Sequence, residues 1–238
     1  MIETTETADS ADVLYPLATR NLLVAGVIIL LLCQSAASFG EKGTSAFWFA
    51  VLLDLIIGLA LPTYLWNVPH GLGINFGPGV PVSRFKTVLV ALPLMIVLRM
   101  AILPLELLLD NVLGLPNPDI SKFHLEPGNI GRLIPFIFWG CLFAPVVEEL
   151  IFRGYLLSEL RRLMSGLMNG QWPALIFTSL LFGLLHWPMQ GLGAVCSAFL
   201  FGLGLSAIYI KSGNNLLLVI TIHGLSNLVS GLINFSGP

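Results

Sequence analysis

The chain has 238 residues, 56% of them hydrophobic and 10% charged, with a formal net charge of −2. A soluble domain carries about 25% charged residues, so this composition excludes an ordinary globular enzyme and describes a polytopic membrane protein. A charge this near zero, with no Lys/Arg-rich run, also excludes a nucleic-acid partner.

The first stretch, 1–19, reads as a polar tail with Glu3, Glu6, Asp9 and Asp12 and no base. A signal peptide opens with a positive region, so the first apolar segment is expected to stay as an anchor. A spanning helix needs about 20 mostly apolar residues. Seven segments qualify: roughly 20–39, 46–66, 86–109, 131–163, 172–187, 192–210 and 214–234. The predicted fold is all-α and polytopic, with about seven transmembrane helices. Its parts are the tail (1–19), N-terminal membrane helices with their loops (20–129) and a core of the last four helices (130–238).

The connection 67–85 is rich in Gly and Pro and reads as irregular. The connection 110–130, with Asp110, Asn111, Pro116, Asn117, Pro118 and Asp119, is polar and suits a substrate-contacting loop. The fourth segment exceeds what a bilayer requires, and Glu159, Arg161 and Arg162 bring its end into the headgroups. Ser165, Gly166, Asn169 and Gly170 then form a turn, and Trp172 is an interfacial anchor. Pro188 is expected to end the fifth helix. The sixth carries small residues at four-residue spacing, Ala194, Ala198, Gly202 and Ser206, a pattern that lets helix backbones approach closely. The distribution of Lys and Arg puts the N-terminus in the cytoplasm. Cys33, Cys141 and Cys196 show no Cys-x-x-Cys spacing and read as inert apolar thiols.

The chemistry concentrates in Glu148-Glu149-Leu-Ile-Phe-Arg153, where two carboxylates and a guanidinium sit in an apolar run. Charge is costly there and marks a function or a partner. Glu149 and Arg153 are four residues apart on one helical face and can pair. Glu148 is rotated about 100° away and can face a cavity. Two later segments each carry a histidine, His186 four residues after Phe182 and His223 four residues before Asn227. At 1.5 Å per residue, Glu148 and His186 lie roughly 20 Å, and His223 about 13 Å, from their helix boundaries. These depths allow the three to meet.

A carboxylate in a low-dielectric pocket becomes a usable base near neutral pH. His186 would orient the water, and the His223 imidazole with the Asn227 amide would donate to an oxyanion. The alternative use of Glu148, His186 and His223 is as zinc ligands. No His-Glu-x-x-His and no Gly-x-Ser-x-Gly is present. The competing structural reading makes Glu148, Glu149 and Arg153 an ion-pair network and each histidine an interhelical hydrogen-bond partner. The joint occurrence of all three motifs favours catalysis. Asp54, Arg99 and Glu106 form a second polar set, read as structural partners in preference to a role in substrate entry.

The three motifs in order, Glu148-Glu149-x-x-x-Arg153, Phe182-x-x-x-His186 and His223-x-x-x-Asn227, resemble the CPBP family of intramembrane proteases. This is also called the CAAX protease and bacteriocin-processing (Abi) family, and it includes the Rce1-type prenyl endopeptidases. The resemblance covers about 130–230. It implies a catalytic core in the last four helices and an intramembrane endopeptidase acting on a membrane-anchored protein or peptide. Glu148 and His186 would activate water, and His223 and Asn227 would form the oxyanion site. Glu149, Arg153 and Phe182 would support them. A metal-free glutamate mechanism is expected, with no cofactor; the zinc version is the alternative. Family substrates include prenylated CaaX proteins, bacteriocin precursors and C-terminal sorting signals. A non-proteolytic membrane binding or immunity protein is the reading from a different class. The expected location is a bacterial inner membrane, or an ER-type membrane in a eukaryote.

Overall fold

The structure is a computed structural model that describes residues 84–114, 127–166 and 170–236. The expected tail, the first two spans, nearly all of the connection 67–85 and the middle of the connection 110–130 lie outside the described residues. Among the described residues the regular elements are helices, with no β-strand. We number them α1 (Arg84–Leu113), α2 (Ile130–Leu163), α3 (Gln171–Leu185), α4 (Trp187–Lys211) and α5 (Leu216–Ser236).

α1 runs past its predicted end at 109 and takes in Asp110 and Asn111. Backbone geometry rather than polarity stops it. Gly114 follows at φ 60°, the left-handed conformation that closes helices and costs glycine little.

α2 is 34 residues long, more than the ~20 a bilayer needs. It is not a uniform α-helix. Ile137–Phe143 and Leu150–Leu157 are wound as π-helix, and the short α-helical stretch Ala144–Glu149 lies between them. Such i→i+5 turns are rare and tend to sit at functional sites. Pro145 explains one consequence. It has no N–H, and in π winding its missing bond would have gone to the carbonyl of Gly140. That carbonyl is left for another helix to satisfy.

α3 stops at Leu185, two residues short of prediction, because the His186 N–H turns tightly onto the Gly183 carbonyl at 3.0 Å. Pro188 then stands at the start of α4, where a missing N–H costs nothing. Gly191, at φ 79°, breaks α4 near its start, so its straight part begins close to the predicted residue 192. α4 ends at Lys211, and Gly213 and Asn214, both with positive φ, follow it. Asn215 caps α5: its Oδ1 accepts the Leu218 N–H at 3.0 Å.

α3 and α4 pack as an antiparallel hairpin along small residues. A Cβ on Gly183 would stand 2.6 Å from the Val195 carbonyl oxygen, so only glycine permits that approach. Ser179 and Ser206 oxygens are 3.5 Å apart across the same seam. α2 and α5 also run antiparallel: the Gly128 N–H donates to the Phe235 carbonyl at 3.0 Å, and the Phe136 ring lies against Gly231. At the other end Arg161 donates to Asn214 Oδ1 at 3.2 Å. α1 closes the group against α4 and α5.

By length and composition, α2, the Gln190–Lys211 part of α4 and α5 can each cross a membrane; the apolar runs Leu89–Leu105 and Gln171–Leu185 are shorter. Trp172, Ile176, Leu180 and Leu184 form an exposed apolar stripe on α3, while Leu175, Ser179 and Phe182 on its other side are buried.

Candidate functional site

The site forms where the middle of α2 meets the end of α3 and the middle of α5. Glu149 and Arg153 are buried, at 0% and 1% side-chain exposure, with Arg153 Nη1 donating to Glu149 Oε1 at 2.9 Å. Arg153 Nη2 reaches across to α4 and donates to the Gly202 carbonyl at 3.1 Å. Its guanidinium carbon lies 4.4 Å from the centre of the Phe182 ring. An ion, a carbonyl dipole and a π face together hold a cation that lipid could not.

Glu149 Oε1 has a second partner. His223 Nδ1 is 2.8 Å away. A carboxylate oxygen can only accept, so the Nδ1–H donates. Helical spacing on α2 alone did not disclose this contact. Its signal is the pairing of an intramembrane acid with an intramembrane histidine.

That bond turns His223 Nε2 toward Glu148, whose Oε2 lies 3.8 Å away. Glu148 keeps 20% of its side chain exposed against none for Glu149. The rotation of about 100° between neighbours therefore separates a locked acid from an accessible one.

His186 stands at the C-terminal end of α3. Its own N–H bonds to Gly183, so the Phe182 carbonyl lacks its usual helical donor. The His186 ring supplies one, with Nδ1 at 2.9 Å from Phe182 O. Nδ1 must carry the proton, which leaves Nε2 as an acceptor in the neutral ring. The Phe182 ring is the hub of the cluster, 4.9 Å from the His186 ring, 5.9 Å from His223 and 5.2 Å from Phe152.

Asn227 sits one turn beyond His223, and its Nδ2 donates to the Gly140 carbonyl at 2.7 Å. This is the oxygen that Pro145 orphans. One amide hydrogen is thus spent on α2. The approach needs Gly224, where a Cβ would come within 2.5 Å of the Cys141 carbonyl oxygen.

Glu148, Glu149, Arg153, Phe182, His186 and His223 thus gather in one cluster, with Asn227 on the next turn of α5. Sequence reasoning missed Gly140 and Gly224 and read Gly202 only as a packing residue; Pro145 was the available signal for the first. Arg99, read as a structural partner of Asp54 and Glu106, donates from Nε to Ser226 Oγ at 2.8 Å and lies 4.9 Å over the Phe201 ring; Asp54 and the Glu106 side chain lie outside the described residues.

Among the described residues, no group of three or more His, Cys, Asp or Glu side chains is arranged to hold a metal ion. The Nδ1 of His223 is occupied by Glu149 and that of His186 by a carbonyl. This leaves the Nε2 of each ring as the nitrogen available to a further partner.

Residues 130–229 match the family model described as type II CAAX prenyl endopeptidase, Rce1-like. No curated protein and no solved structure matches the chain.

Proposed function

We propose, from the premise that residues 130–229 belong to the CPBP (CAAX protease) family, that this integral membrane protein is a metal-free intramembrane endopeptidase. Its substrate is a membrane-anchored protein or peptide, cut near its C-terminus. The observation that carries this reading is the contact at 2.8 Å between Glu149 of α2 and His223 of α5, which brings the acidic pair and a histidine from a distant helix together.

Water lies between Glu148 and His186. Glu148 takes its proton, and His186 Nε2 accepts its second hydrogen and aims the oxygen lone pair. The oxygen attacks the scissile carbonyl carbon, whose own oxygen becomes an oxyanion. His223 Nε2 and the second Asn227 hydrogen donate to it. The C–N bond then breaks, and Glu148 returns its proton to the leaving amine. Because the Nδ1–H of His223 already serves Glu149, donation from Nε2 requires a doubly protonated ring. Glu148 and Glu149 together supply two negative charges to match Arg153 and the His223 imidazolium.

The test uses purified protein in detergent with a quenched peptide carrying an S-farnesyl cysteine near its C-terminus. E148A, H186A and H223A should each lower kcat by at least ~10²-fold while still inserting into membranes. A variant among them that keeps full function would favour the binding or immunity reading. Stoichiometric zinc in active protein would replace the glutamate mechanism with the metal-dependent one.

A further inference from the structure

Arg99 lies midway along the apolar run Leu89–Leu105 of α1. A cation at that depth is costly and marks a pathway or a binding site by default. The mechanism above does not use it. Yet two contacts tie it to the site. Its Nε bonds to Ser226 Oγ at 2.8 Å, and Ser226 lies between His223 and Asn227 on α5. Its guanidinium carbon sits 4.9 Å over the Phe201 ring, and that ring lies 5.5 Å, edge to face, from His223.

We propose that Arg99 is a specificity-determining residue that binds the free C-terminal carboxylate of the substrate. The inference rests on the peptidase reading and deepens it. A planar guanidinium matches a carboxylate through two parallel N–H bonds, and in a site with little water such a pair discriminates strongly. Arg99 makes at least one further interaction besides these two, and five N–H donors serve more than one acceptor. It is only partly buried, so a ligand can reach it. The distances permit this: with the guanidinium 4.9 Å from the Phe201 ring and that ring 5.5 Å from His223, the two groups lie no farther apart than about three extended residues at ~3.3–3.6 Å each. A carboxylate on Arg99 and a peptide carbonyl beside His223 then belong to one short C-terminal tail. Phe201, between them, offers an apolar wall for the side chains of that tail. α1 lies outside the region 130–229 that carries the acid and histidine motifs, so this role gives the N-terminal half a part in substrate choice.

Two farnesylated peptides test it, identical except that one ends in a free acid and the other in a carboxamide. Wild-type protein should show a KM for the acid about 10- to 100-fold below that for the amide. R99Q should raise the acid's KM to the amide's level, and R99K, which keeps the charge without the fork, should retain part of the preference. Fluorescence anisotropy on E148Q protein measures binding of the same pair without turnover. Equal KM and equal affinity for acid and amide in otherwise wild-type protein would overturn the proposal even where R99Q fails to fold. So would a preference that survives in R99Q, or binding of neither peptide. Turnover without acid preference would leave the peptidase standing and remove the carboxylate site. Arg99-dependent acid binding to a protein that cuts neither peptide would do the reverse.

Discussion

Glu149 Oε1 accepts from both Arg153 and His223, so its two losses can be separated. Removing the whole side chain strands a buried guanidinium, at a cost of about 3–5 kcal/mol. E149A is therefore expected to give little folded protein. E149Q keeps an oxygen acceptor and drops the charge. It leaves Arg153 an acceptor but no carboxylate, so it should fold with a lowered melting temperature, with kcat reduced about 10²-fold and KM nearly unchanged, in a steady-state assay paired with a thermal melt in detergent. Wild-type kcat in E149Q would show that His223 needs no counter-ion. Asn227 separates in a different way. N227A loses one interhelical bond, worth about 0.6 kcal/mol in membrane helices, yet it also removes an oxyanion donor, worth 10²–10³ in kcat. A melt close to wild type with a collapse in turnover is the expected pattern; loss of both together would make Asn227 a structural strut. Within α2 these residues were legible. Four-residue spacing pairs Glu149 with Arg153 and turns Glu148 elsewhere. Which histidine each acid meets was not legible, because that depends on how α5 is rotated against α2.

Each helix reaches the site by a device with a local cause. α3 ends early, so His186 caps its own helix and presents Nε2. α2 winds as π-helix before Pro145, so an α2 carbonyl becomes a docking point for Asn227. Those features follow from tertiary contacts and from a missing N–H, and apolar periodicity carries neither. What periodicity did carry was the existence of α1 to α5, to within a few residues at most ends. The misplaced ends fall where a glycine or a tight turn decides: Gly114 after α1, Gly183 under His186. Small residues at four-residue spacing pointed to a close seam on α4, and Gly202 and Ser206 do face α3 there. Two glycines now give opposite expectations. A Cβ at position 224 meets a backbone carbonyl at 2.5 Å, which cannot yield, while one at 202 meets side-chain atoms at 3.2–3.3 Å. G224A should push α5 off α2, lower stability by about 1–3 kcal/mol and abolish turnover. G202A should be tolerated with a small loss. Unfolding in a denaturing detergent, run beside the activity assay, checks both, and equal effects would contradict the close approach at Gly224.

At the scale of the whole molecule, polarity is turned inside out. The buried charges Glu149 and Arg153 lie at the centre, and large apolar side chains such as Ile176, Leu180 and Leu184 lie outside. Water cannot stabilise that exterior, whereas hydrocarbon can, since each helix satisfies its own backbone bonds. The short α3 shows the arrangement best. Its outer stripe is apolar throughout, and its inner side carries Thr178, Ser179 and Phe182. Its 15 residues rise about 22 Å, less than the ~30 Å hydrocarbon core, so the chain leaves the helix at His186 while still below the surface. Non-helical backbone at that depth survives where it is enclosed by protein or lines a wet cavity. The bend at 186–191 is therefore expected to border the cavity from which water reaches Glu148. Two measurements follow from one geometry. A carbene-generating probe dissolved in the bilayer should label Ile176, Leu180 and Leu184 and spare Leu175 and Ser179. L180R should raise the cost of inserting α3 by about 2.5–3.5 kcal/mol, read as the inserted fraction in a translocation assay, while L180V leaves it unchanged. Equal labelling of the two faces, or free insertion of L180R, would mean that the stripe meets protein or water instead of lipid, and the enclosure argued for His186 would lose its basis.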